Sequence, residues 1–304
     1  MADLRVHIAG VELKNPVILA SGTCGFGLSY DGFYPVEALG GVSMKGTTLE
    51  PRDGNPGVRI AETKSGILNS VGLQNPGLSA FVETELPAIA DRDVVKIANI
   101  AGFSIEEFVA LTEGLNDTAV DMLEVNISCP NVKHGGAAFG MSCTAAAEVT
   151  RAVKRVAKKP VIVKLSPNVT DITEIAKAVE AEGADAVSLI NTLLGMRIDI
   201  KRKQPILGNN VGGFSGPAVF PVALRMVWQT ARAVRIPVIG LGGIATWQDA
   251  AEMILAGASA IQVGTAMFTD PFAPVKIVEG LNAWAEEEGV PLSALTGAVR
   301  PFEN

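Results

Sequence analysis

The chain has 304 residues, with 25 Lys plus Arg against 32 Asp plus Glu, a formal net charge of −7, and 48% hydrophobic residues. That length suits two ordinary domains or one (β/α) barrel, and the apolar share supplies a large core, which excludes a disordered chain. The acidic balance and the lack of any Lys/Arg cluster argue against binding to a nucleic-acid backbone.

In chain order, the opening Met-Ala-Asp-Leu-Arg lacks an apolar signal core, so a cytoplasmic protein is expected. Residues 4–14, turning at Ala9-Gly10, read as a hairpin that plugs the floor of a barrel. Short β-branched runs then predict strands over 17–20, 42–44, 94–98, 122–125, 161–163, 186–190, 238–240 and 260–263. Runs of this kind, apolar on both faces, suit a parallel sheet covered by helices. Ser104, Asp171 and Thr246 are placed to cap helices, and Gly183 and Gly257 to end them. Alternation of this length fits a single (β/α)8 TIM barrel domain over 1–304, with an open doubly wound sheet as the alternative. No G-x-G-x-x-G follows Ala20 to favour that alternative. The long polar stretch 49–77, after the second strand, is expected to form a functional lid over the substrate.

The longest uncharged stretch, 204–224, could span a bilayer by length, but its four glycines, three prolines and two asparagines do not suit a lipid-exposed helix. No membrane association is expected. Three cysteines (Cys24, Cys129, Cys143) without a C-x-x-C exclude a disulfide framework, an all-cysteine zinc site, or an iron–sulfur cluster held by this chain alone. No metal site is expected.

In a TIM barrel the active site lies at the C-terminal mouth of the strands. The predicted strand ends deliver Ser21-Gly22, Lys45-Gly46-Thr47, Asn99, Asn126-Ile-Ser-Cys129, Lys164, Asn191-Thr192, Gly242-Gly243 and Gly264-Thr265. A lone Asn or Ser there is more often a turn residue than a functional one. Lys45 and Lys164 are harder to explain that way, because burying an unpaired ammonium is costly, so each should meet an anion or an electron-rich ligand. The glycines of Gly240-Leu-Gly-Gly243, Val263-Gly-Thr-Ala266 and Gly212-Gly-Phe-Ser-Gly-Pro217 could serve tight packing. Their convergence where such barrels bind phosphate favours a phosphate-bearing ligand. Cys129, on a rim loop among polar neighbours, is the candidate base or nucleophile. Cys24 is a weaker candidate that borders the same region. Cys143 should begin a helix, and His134 reads as a solvated loop residue.

Taken together, Ala20-Ser-Gly22, Ser43-Met-Lys-Gly-Thr-Thr48, Asn69-Ser-Val-Gly-Leu-Gln-Asn-Pro-Gly77, Asn126-Ile-Ser-Cys-Pro-Asn131, Lys164-Leu-Ser-Pro-Asn168, Ile190-Asn-Thr192 and Gly240-Leu-Gly-Gly243 resemble dihydroorotate dehydrogenase along nearly the whole chain. Cysteine at the base position resembles the soluble class 1 enzymes, since the membrane-associated class has serine there and an added N-terminal segment. The loop beginning Asn131-Val-Lys-His-Gly-Gly136 looks more like the NAD-linked class 1B catalytic subunit than the fumarate-linked class 1A form. Cys24 departs from the aromatic found there in many relatives.

The resemblance implies oxidation of (S)-dihydroorotate to orotate, in pyrimidine (UMP) biosynthesis, by FMN bound at the barrel mouth. Carried over by position, Ser21, Lys45, Gly46, Asn99, Asn126, Lys164, Ile190, Gly216, Gly242, Gly243, Gly264 and Thr265 would contact FMN. Lys45, Asn69, Ser70, Val71, Gly72, Leu73, Asn126, Asn191 and Thr192 would hold the substrate. Cys129 would take the C5 proton while hydride leaves C6 for the flavin. The class 1B resemblance further implies a partner subunit carrying FAD and a 2Fe–2S cluster, which passes electrons to NAD⁺, with two catalytic chains as the homodimer core of a heterotetramer. Two rivals use the same fold. A Schiff-base aldolase or sugar-phosphate isomerase would explain the phosphate site and an in-strand lysine, but not the Asn-rich rim. The other is a catalytically silent barrel serving as a scaffold; bound FMN absorbs visible light, whereas both rivals should be colourless.

Overall fold

The computed structural model describes residues 2–128 and 139–302. Cys129, Asn131 and His134 lie outside the described residues. Eight parallel strands close into a barrel: β1 (Val17–Leu19), β2 (Gly41–Ser43), β3 (Val95–Ile100), β4 (Met122–Asn126), β5 (Val161–Lys164), β6 (Ala186–Leu189), β7 (Val238–Leu241) and β8 (Ala260–Val263). Each pairs with the next in sequence, and β8 returns to β1 through Ile261↔Val17 and Val263↔Leu19. All eight predicted runs are barrel strands.

Helices cover the outside after the later strands: α1 (Ile105–Leu115), α2 (Cys143–Val156), α3 (Ile172–Ala181), α4 (Phe220–Ala231), α5 (Trp247–Leu255) and α6 (Ala273–Glu288). Their starts follow the sequence signals. Ser104 accepts from the Glu107 amide, Asp171 from the Thr173 amide, and Thr246 forms a reciprocal capping box with Asp249. Each helix buries one stripe at helical spacing, such as Ile172, Ile175, Ala176 and Val179 in α3. Gly183 (φ 89°) and Gly257 (φ 115°) take the left-handed conformation just past helix ends, as expected. A continuous helical stretch over 77–89 follows β2, so among the described residues the regular alternation fails once. After β1 comes only a 3-10 turn, Val36–Ala38, where the sequence pattern implied a helix. Gly25 (φ 58°) and Gly27 (φ 112°) turn the chain too sharply for one.

The floor is the expected hairpin, Val6–Ile8 paired with Val11–Leu13, whose turn residues Ala9 and Gly10 both have positive φ (50° and 85°). Val6, Ile8 and Leu13 pack beneath the inward side chains Ile18, Ile97, Met122, Ile162, Ala186, Ile239 and Ala260. Side chains alternate along a strand, so the residues two positions further on also point inward and form the next layer. That layer is mostly polar: Asn99, Glu124, Lys164, Ser188 and Gln262 are all buried in it, beside Ala20 and Leu241.

The roof is more than a lid loop. Ile60–Thr63 and Gly66–Asn69, from the 49–77 stretch, join Gly212–Ser215 and Leu193–Gly195 in a four-stranded antiparallel sheet. Two connections, after β2 and after β6, therefore lock together over the mouth. Among the described residues, no helix is long and apolar enough to cross a membrane.

Candidate active site

A cavity lies between the barrel mouth and this roof. Its lower wall includes Asn99, Lys164 and Gln262 of the polar layer. At the layer's centre Glu124, fully buried in β4, accepts hydrogen bonds from Ser43 Oγ (2.7 Å), Asn99 Nδ2 (2.7 Å), Ser188 Oγ (2.8 Å) and Gln262 Nε2 (2.7 Å). Lys164 Nζ stands 3.9 Å from the same carboxylate. Burial opposes the charge on Glu124, but the Lys164 ammonium and the bonds from Ser43, Asn99 and Ser188 together outweigh it and hold the pKa below the usual carboxylate value. Since Asn99 and Gln262 spend their amide nitrogens on Glu124, their carbonyl oxygens face elsewhere. Among the described residues, neither Asn99 Oδ1 nor Gln262 Oε1, both buried, has a hydrogen-bond donor.

The rim is tied by asparagines. Ser128 Oγ donates to Asn126 Oδ1 (2.9 Å), and Asn191 Nδ2 donates to Ser128 Oγ (2.6 Å), linking the ends of β4 and β6. Asn168 Nδ2 donates to the Thr192 carbonyl (3.0 Å) and holds the chain as it leaves β6. On the roof side Asn75 donates to Thr48 Oγ1 (2.8 Å) and accepts from the Thr48 and Gly77 amides, which fixes the turn containing Gly72 and Leu73. Gly242 and Gly243 allow the loops after β6 and β7 to meet. A Cβ on Gly243 (φ 77°) would stand 2.7 Å from the Phe220 amide nitrogen. Thr265 Oγ1 donates to Ser215 Oγ (2.9 Å), joining the loop after β8 to the roof.

The match to known sequences agrees with this architecture. The family described as dihydroorotate dehydrogenase matches residues 3–284. The chain belongs to the dihydroorotate dehydrogenase family. A relative from Parabacteroides distasonis is 56% identical over 290 residues, covering 95% of each chain. One from Bacteroides thetaiotaomicron is 57% identical over 290 residues, covering 95% of this chain and 96% of the relative. One from Petrotoga mobilis is 51% identical over 290 residues, covering 95% and 97%. All three relatives are named dihydroorotate dehydrogenase B (NAD(+)), catalytic subunit.

In this dihydroorotate dehydrogenase family member, the twelve positions assigned to a cofactor all line the cavity: Ser21, Lys45, Gly46, Asn99, Asn126, Lys164, Ile190, Gly216, Gly242, Gly243, Gly264 and Thr265. Asn69, Val71, Gly72, Leu73, Asn191 and Thr192 line it too. Ser70 does not. It is buried behind the roof, where its hydroxyl and carbonyl accept from Asn55 Nδ2 (both 3.1 Å). Cys24 also lies off the cavity wall, fully buried, and burial pushes its thiol up to about 12 against the pull of the Lys45 and Lys164 charges. Cys143 does begin a helix, capped by Ser142.

Lys45 lies just past β2, while Lys164 is the last residue of β5. A second strand lysine, Lys96, has a purely structural explanation: its Nζ donates to the Arg92 and Val94 carbonyls (3.0 Å each) near the start of β3. A lysine within a strand is therefore not by itself a site signal. Sequence reasoning missed Glu124 and Gln262. Both are polar residues inside apolar runs, the same signal that singled out Lys164.

Proposed function

We propose that this chain oxidises (S)-dihydroorotate to orotate, in pyrimidine biosynthesis, with FMN seated in the barrel mouth. The cavity floor supports the reading. It offers two buried amide carbonyls, on Asn99 and Gln262, that have no donor among the described residues, beside the Lys164 ammonium. The pyrimidine edge of an isoalloxazine ring has an N–H for such an acceptor and electron-rich atoms for such a cation. A Schiff-base enzyme would need its lysine free to attack a carbonyl, whereas Lys164 stands against a buried carboxylate. Bound FMN supplies the two-electron acceptor for the hydride at substrate C6.

The chain's own residues do the remaining work. Lys164 places positive charge where reduction adds negative charge. Gly216, Gly242, Gly243, Gly264 and Thr265 would hold the phosphate, where loops with little side-chain bulk converge. Ser21, Gly46, Asn99, Asn126 and Ile190 would complete the cofactor's bed. Asn69, Asn126, Asn191 and Thr192 carry both donors and acceptors, which suits the imide edges of the substrate ring. Lys45 and the turn Val71–Leu73 would close over the substrate, with Ser70 supporting that turn from behind. Cys129, directly after Ser128, would take the C5 proton.

The relatives' shared name, a catalytic subunit of an NAD(+) enzyme, supports a division of labour. A partner subunit with FAD and a 2Fe–2S cluster would carry electrons to NAD⁺, around a core of two catalytic chains. Dihydroorotate oxidation by the purified chain, with an artificial dye, NAD⁺ or fumarate as acceptor, tests this. Dye reduction with little NAD⁺ reduction is expected. Rapid fumarate reduction would place the chain with the fumarate-linked form, and fast NAD⁺ reduction by the chain alone would remove the partner.

A further inference from the structure

Glu124 is fully buried, does not line the cavity, and nevertheless organises its floor. Its hydrogen-bond donors come from four different strands, Ser43 of β2, Asn99 of β3, Ser188 of β6 and Gln262 of β8, and its cation from a fifth, Lys164 of β5. Each carboxylate oxygen accepts one hydroxyl and one amide. Oε2 takes Ser43 and Asn99, and Oε1 takes Ser188 and Gln262. Stability alone does not account for this arrangement. A buried ion pair usually contributes little compared with apolar residues of the same volume, and the layer directly beneath is apolar.

The arrangement does fix which way the cavity's amides face. A serine hydroxyl can rotate and either donate or accept, but an amide must turn over to exchange its oxygen for its nitrogen. An acceptor-only group at position 124 therefore dictates that Asn99 and Gln262 give it their nitrogens and turn their oxygens away. The same carboxylate sets how much of the Lys164 charge is felt above it.

We infer that Glu124 is a positioning residue for the flavin floor: it orients the Asn99 and Gln262 carbonyls and tempers the Lys164 charge. This rests on the proposed flavin site and adds to it a residue that touches neither cofactor nor substrate. In Glu124→Gln, one carboxylate oxygen becomes an NH₂ that faces an amide donor. The neighbouring Asn99 or Gln262 must turn over and present a donor to the cavity instead of an acceptor. Lys164 meanwhile loses its counter-charge, which favours the anionic reduced flavin. Oxidised FMN should therefore bind more weakly while the potential rises.

The experiment titrates FMN into apoprotein of the wild type, Glu124→Gln and Gln262→Leu, with circular dichroism to check folding, and then measures the midpoint potential of bound FMN. Wild-type uptake decides the flavin site itself, separately from the role of Glu124. Given that uptake, Glu124→Gln is expected to bind oxidised FMN at least about tenfold more weakly. Its potential should rise by about 30 mV or more, equivalent to a tenfold change in relative affinity for a two-electron couple. Weaker binding with an unmoved potential would mean a merely structural role, and unchanged binding and potential would overturn the inference outright. Gln262→Leu keeps the charge pair and removes one acceptor, so it should weaken FMN binding several-fold with little change in potential. If Glu124→Gln does not fold, unaltered FMN affinity in Gln262→Leu contradicts the proposal.

Discussion

Asn191 Nδ2 donates to Ser128 Oγ across the barrel mouth at 2.6 Å, so the end of β6 grips the residue immediately before Cys129. One side chain thus borders the cavity and steadies the chain leading to the proposed base. Asn191→Ala should keep FMN but lose substrate use. Removing a bond to a polar substrate and one to Ser128 costs about 1.5–3 kcal/mol, or roughly ten- to hundredfold in kcat/KM. Flavin content and steady-state kinetics check this. Loss of flavin with normal KM would move Asn191 to the cofactor side.

Lys164→Ala is expected to do the reverse and weaken or abolish FMN retention. It also leaves Glu124 buried without its cation, so the variant's melting temperature should fall, whereas that of Asn191→Ala changes little. Full flavin content in a folded Lys164→Ala protein would contradict the assignment.

Cys129→Ala should retain FMN while turnover drops about 10²–10⁴-fold, the usual contribution of a positioned acid or base. Cys129→Ser should recover part of the rate, and only at higher pH, because a hydroxyl is a much weaker acid than a thiol of pKa near 8.5. Near-normal turnover by the alanine variant would remove Cys129 from the base role. Cys24 should behave oppositely to a reactive thiol. Buried and pushed up to about 12, it should resist alkylation at mild pH in the native protein, whereas half-buried Cys143 reacts. Mass spectrometry after brief alkylation distinguishes the two, and rapid native labelling of Cys24 would contradict its burial.

The barrel was legible in the sequence because a parallel strand covered on both faces reads as a short, mainly apolar run, and each of the eight runs is one even where a single polar residue such as Lys96, Glu124 or Gln262 interrupts it. The helix caps were legible for a similar reason, since Ser104, Asp171 and Thr246 act on amides only two or three residues away. The roof was not. Its pairings, such as Asn69 with Gly213, join short strands far apart in the chain, and no local pattern announces them. Among site residues, those at strand ends stood out because polar groups collect there. Glu124 and Gln262 share a layer with Asn99 and Lys164 but were missed because their strands run on past them, to Asn126 and Val263, so they sit inside runs that otherwise look like core. Aligning the strands two residues past their floor residues exposes most of that layer, because Ile97, Met122, Ile162, Ala186 and Ala260 lead to Asn99, Glu124, Lys164, Ser188 and Gln262, while Ile18 and Ile239 lead to Ala20 and Leu241.

Acid stability should register that layer. The folded-state pKa of Glu124 lies below its unfolded value, near 4.3, so its ionised form contributes stability at every pH above that value. The contribution is lost as the pH falls from there through the folded pKa. Glu124→Gln has no such proton to take up, so its melting temperature should decline less than the wild type's from about pH 5 downward. Parallel melting curves for the two proteins would show that Glu124 is not ionised in the fold.

Anaerobic spectroscopy of the purified chain most directly tests the reading of the cavity as a dihydroorotate-oxidising flavin site. The protein should carry, or take up, one FMN with visible absorbance, and adding dihydroorotate should bleach that absorbance as orotate forms. A chain that binds no FMN, or whose bound FMN stays oxidised in excess dihydroorotate, would contradict it.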